Sequence, residues 1–550
     1  MRTGAETLIF WGAGATASVG LRTTPQQAVA IKALADGNAG ELTKRVNKAL
    51  SDSIAWAEPF TDLLCILGDD TEENVYDITS DARDAMSRHW HDTSPQVLET
   101  RVHELRALYD WPALKDVVRA CPGFKEGKRF LLPDVFNLID LHAHSLHGFP
   151  VPKRFLPPGR LVAARRALQL ILNTLFYIDW QTALSAKAAE LDKHLGFAHL
   201  LTKHHQEEGL SLAATMQHFD SREFYLGDVA FASINYDPVA LWAQFIANRD
   251  ANFNPPCIGV PRVPLKIFHD FGIFMAVSTI DDQKRAEPEA KARVWYPLNE
   301  ASAQRLNDRD HESRRVRINK FLFPHGCLCW RECPSCGKLS AYMGKEWDFF
   351  SRALIPPPPL RGFVELAGNV LQPETESEGQ AWARGVVDAR ACVHCEELTF
   401  AEHTQVVMQS NFKAPPPSFI DEVQRDLRVA TQAAKHIILM GYSLPTDDVT
   451  YRAFFAARRQ RSTKDDDLVR CSIVVGQNWG DCWYGPDEID NLLRRMERGE
   501  APRTTLEAAC DLFGRENVRF FGGGIPQVFC EGDTASPRRF QQLIDWTLAA

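Results

Sequence analysis

Apolar positions near the start of the chain run together rather than alternate. Residues 7–11 read as a fully buried strand, and they lead straight into Gly12-Ala13-Gly14-Ala15-Thr16, whose small side chains suit a tight turn. From about residue 25 to 228 the spacing becomes helical: Leu168, Ile171, Leu172, Leu175 and Phe176 recur at intervals of three and four, the stripe of a core-facing helix. Strand character returns at 228–234 and around 264–268, followed by a charged segment, 279–317, that is expected to be mobile. Beyond Ser418 the pattern alternates: helix 419–434, strand 436–440, helix 449–458, strand 469–476, a last strand at 517–521 and a helix from 537 to 548. Such alternation predicts a parallel sheet covered by helices, and there is no internal repeat.

Composition changes this picture little. With 45% hydrophobic and 24% charged residues over 550 positions, the chain is ordinary globular material with enough apolar mass for a large core. Its 62 basic and 71 acidic residues leave a formal charge of -9, so no global positive field draws it to nucleic acid. The clusters Arg314-Arg315-Val316-Arg317 and Arg458-Arg459-Gln460-Arg461 read as solvated loop or helix faces. The first apolar run is too short for an export signal, and no stretch reads as long enough to cross a bilayer, so a cytoplasmic protein is expected. Thirteen cysteines without an export signal suggest reduced thiols plus a metal site rather than a disulfide framework.

The chemistry-bearing positions fall at strand ends. Gly12-Ala13-Gly14-Ala15-Thr16-Ala17-Ser18-Val19-Gly20 has glycine spacing that lets backbone N–H groups approach a pyrophosphate, although it is not the three-glycine dinucleotide fingerprint. Ile234-Asn235-Tyr236-Asp237 closes a strand, which in an open α/β sheet puts Asn235 and Asp237 at the ligand-binding edge. A carboxamide can orient a water or a ribose hydroxyl, and a carboxylate can accept from an amide; a strand-end Asx turn is the plainer reading. In Phe323-Pro324-His325-Gly326-Cys327-Leu328-Cys329-Trp330 the histidine precedes a glycine turn and is a candidate general base. A second His-Gly pair, His147-Gly148, follows Asp140-x-His142-x-His144, a weaker metal alternative on a segment that reads as helix.

Cys333-Pro334-Ser335-Cys336 and Cys392-Val393-His394-Cys395 form two C-x-x-C knuckles, the ligand set of a closed structural zinc site. The 55 residues between them (337–391) include the run Pro356-Pro357-Pro358-Pro359 and would form an excursion, with Cys327, Cys329 and His394 as bystanders. A small cysteine-bearing module over 320–400 follows, bounded by a second proline run at 415–417.

Taken in order, Gly12-Ala13-Gly14, Asn235-Tyr236-Asp237, His325-Gly326-x-Leu328-x-Trp330, the cysteine knuckles, Gly441-Tyr442-Ser443-Leu444-Pro445-Thr446-Asp447-Asp448 and Val474-Val475-Gly476-Gln477-Asn478 resemble the Sir2 (sirtuin) superfamily, in particular the bacterial Sir2-like domains found in phage-defence proteins. The resemblance implies a Rossmann-like parallel sheet with helices on both faces, spanning 1–24 and 228–550. It leaves 25–227 as a large helical insertion and 320–400 as a zinc-ribbon-like module. It also implies NAD as substrate and structural zinc at Cys333, Cys336, Cys392 and Cys395. Gly12, Ala13, Gly14, Thr16, Gly20, Gly441 and Ser443 would hold the pyrophosphate side, Asn478 the adenosine ribose and Asp237 the nicotinamide amide. Asn235 and His325 would serve the reacting ribose and its nucleophile.

Two departures bear on the reaction. After Gly20 the chain reads Leu21-Arg22-Thr23-Thr24-Pro25, not the Pro-Asp-Phe-Arg of protein-deacylating sirtuins, and the Phe-Gly-Glu motif of the substrate strand is replaced in the region of Met408 to Pro417. An acyl-peptide normally pairs with strands there. NAD hydrolysis to ADP-ribose and nicotinamide is therefore expected, as in a defence effector held back until a partner protein or phage-derived trigger arrives, with homo-oligomerisation an open possibility. The alternatives are an NAD-dependent protein-lysine deacylase and an inactive NAD-binding regulatory module.

Overall fold

The computed structural model describes residues 4–52, 64, 106–125, 130–152, 154–216, 218–272, 275–278, 299–308, 313–328, 330–332, 336, 339–342, 389–391, 398–400, 402–403, 410, 412, 418–446, 448–461, 468–476 and 479–549. Its centre is a sheet of nine strands: β1 (Thr7–Trp11), β2 (Val229–Ser233), β3 (Cys257–Ile258), β4 (Val263–Asp270), β5 (Arg315–Leu322), β6 (His436–Met440), β7 (Arg470–Val474), β8 (Trp483–Tyr484) and β9 (Val518–Phe521). They lie in the order β8-β9-β7-β6-β1-β2-β5-β4-β3. All neighbours are parallel except the two short edge strands, β3 and β8. This is a mixed α/β architecture, consistent with a Rossmann-like fold.

β1, β2 and β6 have every residue buried, which is why their sequences run apolar instead of alternating: a central parallel strand is covered on both faces. Register matters more than composition here. Trp11 stands opposite both Ser233 of β2 and Met440 of β6, so three loops leave the sheet at one level. The chain proceeds from β1 toward the β2 side and only later returns to β6, so a topological switch point lies between β1 and β6, where open α/β sheets bind ligands.

Helices α1 (Thr24–Asp36), α2 (Trp111–Ala120), α3 (Leu132–His144) and α4 (Pro158–Ala186) build a second core, containing Ile31, Val117, Ile139, Leu168, Ile171 and Leu175. The stripe expected on α4 is present, but the helix serves two masters: Phe176, Trp180 and Ala183 enter the sheet core instead. By length and composition α4 is apolar enough to cross a membrane, contrary to the sequence expectation. With 67% of its most apolar window buried, packing against two cores accounts for that composition. α5 (Ala188–Ala213) lies on the sheet core through Leu191, Phe197 and Leu201. Within the stretch expected to be helical, Phe149–Val151 and Arg154–Leu156 form a small hairpin.

The largest correction concerns the charged segment before Lys320. Glu300–Asp308 is a helix, and Arg315–Leu322 is an interior strand of the main sheet, flanked by β2 and β4. Arg317 is fully buried rather than solvated, with its guanidinium on Glu208 and on the Phe224 carbonyl. Arg458, on α8 (Val449–Arg461) beyond α6 (Val239–Phe253) and α7 (Ser418–Ala433), is also buried, donating to the Ala434 carbonyl at 2.7 Å.

Candidate active site

The loops after β1 and β6 meet backbone to backbone. The Gly12 and Gly14 amides donate to the carbonyls of Met440 (2.8 Å) and Gly441 (2.9 Å). A Cβ on Gly12 would stand 2.5 Å from the Gly441 carbonyl oxygen, and one on Gly441, whose φ is +64°, 2.1 Å from the Ala15 nitrogen. Glycine is required on both sides because a side chain on either loop would push them apart. Gly12 and Gly14 thus spend their amides on this junction, whereas Gly20 ends the Ala17–Val19 turn with a left-handed φ and open space around it.

The β2 end is tied to the same loop. The Asn235 carboxamide donates to the Gly12 carbonyl (3.0 Å) and to Thr16 Oγ1 (3.3 Å), and Thr16 Oγ1 donates to Asp237 Oδ2 at 3.2 Å. With both amide hydrogens committed to protein, the Asn235 carbonyl oxygen is what remains to accept from a bound molecule. Asp237 Oδ1 accepts from the Val239 amide at 3.1 Å. Burial pushes the Asp237 carboxyl up to about 6, while the Val239 and Thr16 hydrogen bonds pull the other way. Among the described residues it has no ion pair. Asn235, Asp237 and Thr16 are 5%, 2% and 2% exposed, so the network is shielded from solvent.

His325 joins the network through the backbone. Its Nδ1 lies 3.2 Å from the carbonyl oxygen of Ile234, the residue before Asn235. A carbonyl only accepts, so Nδ1 carries the proton and Nε2 keeps its lone pair, the tautomer of a general base. The ring stacks on Tyr236 and lies 5.5 Å from the Tyr451 ring. Burial raises the pKa of both phenols, with Asp448 adding to the effect in each case. Asp448 itself accepts from Tyr442 Oη at 2.7 Å. The turn at Gly326 is held by its amide on the Phe323 carbonyl, and Gln424 of α7 donates to Pro324.

Sequence reasoning did not find the aromatic wall of Tyr236 and Tyr451, nor the link from the helical region. The Tyr in Asn235-Tyr236-Asp237 was a local signal; the link had none. Arg22, just after the glycine loop, pairs through side chain and backbone with buried Asp179 of α4, 157 residues away. Burial raises the Asp179 carboxyl and Arg22 opposes this. Tyr236 and Leu328 pack against both the sheet core and the helical core.

Gly12, Ala13, Gly14, Thr16, Asn235, Asp237, His325 and Gly441 come together at this edge. Ser443 is exposed, and its carbonyl accepts from Thr505 of α9 (Ala501–Phe513). Asn478 lies outside the described residues, as do Cys333, Cys392 and Cys395; Cys336 is described and half-buried. Asp140, His142 and His144 do not gather: Asp140 pairs with Arg165, His142 faces Phe149 and His144 is exposed.

No protein-family model matches the chain, and no curated protein matches its sequence.

Proposed function

We propose that the chain binds NAD at the β1–β6 switch point and hydrolyses its nicotinamide–ribose bond, as a Sir2-like NADase. The observation that carries this reading is the continuous network in which Asn235 and Thr16 tie the glycine loop to the end of β2 while His325 holds the Ile234 carbonyl. It gathers an acceptor amide, a carboxylate and an imidazole base, separated by up to 90 positions, around one loop.

Loss of nicotinamide leaves an oxocarbenium-like ribose, so the site must favour developing positive charge and deliver a nucleophile. Asp237 would accept from the nicotinamide amide, the Asn235 carbonyl oxygen would orient a ribose hydroxyl or the attacking water, and His325 Nε2 would take the proton released. Asp237 accepts from the nicotinamide amide most strongly when ionised, so the reaction weakens below about pH 6. The helical core supports water over an acyl-lysine: Tyr236 and Leu328 are wedged between two cores beside His325, which is 4% exposed, and this leaves a small nucleophile favoured over a polypeptide. The Arg22–Asp179 pair gives the helical region a direct hold on the glycine loop, a route for the restraint a defence effector needs. The cysteine knuckles would hold structural zinc apart from the chemistry.

Incubation with NAD, with and without an acetylated peptide, and product analysis by mass tests the reading. ADP-ribose and nicotinamide without peptide are expected; NAD consumption only with peptide would make the chain a deacylase.

A further inference from the structure

At the opposite, amino edge of the sheet lies a second polar cluster that the proposed reaction does not use. His205 and Glu208, one turn apart on α5, share a face. Asp228 immediately precedes β2, and Asn319 projects from β5. His205 is fully buried, and among the described residues its ring nitrogens have no hydrogen-bond partner; Asn319 is 3% exposed and, among the same residues, both its side-chain polar atoms are equally unmatched. The His205 Nδ1 and Asn319 Oδ1 atoms lie 2.3 and 3.0 Å from the point where a Cβ on Gly227 would stand, so both line one space.

His205 Nδ1 is 3.8 Å from Asp228 Oδ1 and 4.0 Å from Glu208 Oε2. These separations are too long for hydrogen bonds, yet they fit two ligands on one ion, which at bonds of about 2.0–2.2 Å lie no more than about 4.4 Å apart. All three ligand atoms fall within 4.8 Å of one another, the only such group among the described residues. Both carboxylates are held in place by protein donors: His204 Nε2 sits 2.9 Å from each Asp228 oxygen, and Arg317 and the Asp228 amide donate to Glu208 Oε2, the oxygen that faces His205. Metal-binding carboxylates are held in this way.

We infer that His205, Glu208, Asp228 and Asn319 form a binding site for a divalent first-row metal ion. One imidazole nitrogen with three oxygen donors suits manganese, iron or zinc, whereas thiolate knuckles select zinc. Asp228 and Asn235 flank opposite ends of β2, about 20 Å apart at strand spacing, so the ion is no part of the NAD chemistry. It pins α5 to β2 and β5, where the chain returns from the helical region to the sheet. Buried polar groups left unmatched are costly, and the ion would match them.

The test is titration of the EDTA-treated full chain with Mn2+, followed by the electron paramagnetic resonance signal of the free ion. One tight Mn2+ per chain is expected, with a higher melting temperature and unchanged nicotinamide release. Affinity should fall about tenfold or more in Asp228→Asn and His205→Gln. Should those variants not fold, Fe2+-driven oxidative cleavage of the wild-type chain locates the ion, with cuts expected near 205–208 and 227–228. No saturable Mn2+ binding, cleavage confined elsewhere, or unchanged affinity in a folded Asp228→Asn variant would overturn the site and leave a buried water as its occupant. Neither result depends on NAD turnover, so failure here and failure of the NADase reading are separately visible.

Discussion

Asp237 and Asp270 are both 2% exposed and both sit at the carboxyl edge of the sheet, yet they are stabilised by opposite means. Asp270 ends β4 and receives Lys320 Nζ at 2.7 Å; that ammonium also reaches Asp426 at 2.7 Å and Glu300 at 2.8 Å. Burial works against the Lys320 charge, but the three carboxylates outweigh it and hold its pKa above the usual lysine range. Among the described residues Asp237 has hydrogen bonds and no cation, and burial pushes it up to about 6. The difference separates architecture from chemistry. A buried charge matched by its opposite is fixed, whereas one matched only by neutral donors is left able to gain a proton or a ligand.

Four substitutions break or sharpen this contrast. The largest effect is expected from His325→Ala, which removes the base without touching any ion pair: nicotinamide release should fall by about 10²–10⁴-fold while the melting temperature stays near wild type. An equal rate in the variant would release His325 from its role. Next is Lys320→Met, which takes the cation from buried Asp270 and from Asp426 while Glu300 keeps Arg222, and should cost about 3–5 kcal/mol in urea unfolding. In folded protein the KM for NAD should not move.

Asp237→Asn should act in the reverse sense on stability. Because the folded pKa, about 6, lies above the ordinary 3.8, the wild-type residue favours folding at low pH, and that contribution is lost as pH rises from about 4 through 6. The Asn variant should therefore gain on wild type over that window, by up to about 3 kcal/mol at pH 7, while losing NAD turnover. Matched unfolding curves at pH 5 and pH 7.5 check the sign. The smallest effect belongs to Thr16→Val. It removes the hydrogen bond to Asp237 and the one from Asn235, costing about 1–2 kcal/mol, and should shift the acid limb of the turnover profile to higher pH; a shift the other way would show that Thr16 does not support the ionised carboxylate.

The sheet was legible wherever its strands are apolar. Residues 7–11 and 436–440 were placed from continuous hydrophobicity because strands covered on both faces need nothing else. β5 was not, since Arg315, Arg317 and Lys320 look solvated to any local pattern. Their partners, Glu208, Asp270, Glu300 and Asp426, come from distant segments, and only the fold makes burial tolerable. The site divides along the same line. Asn235, Asp237 and His325 stand at strand ends and turns that sequence marks, whereas the Arg22–Asp179 link joins residues 157 positions apart and leaves no local trace. The glycine loop shows a third case: its spacing was visible, but part of its purpose, the close approach of Gly441, appears only when β6 lies beside β1.

The position of NAD soaked into crystals of the His325→Ala variant decides whether the switch point is the binding site. Intact dinucleotide should lie across the β1–β6 switch point, with its carboxamide on Asp237 and its reacting ribose beside Asn235 and the vacated imidazole position. Dinucleotide bound elsewhere, or none at saturating concentration, would contradict the account.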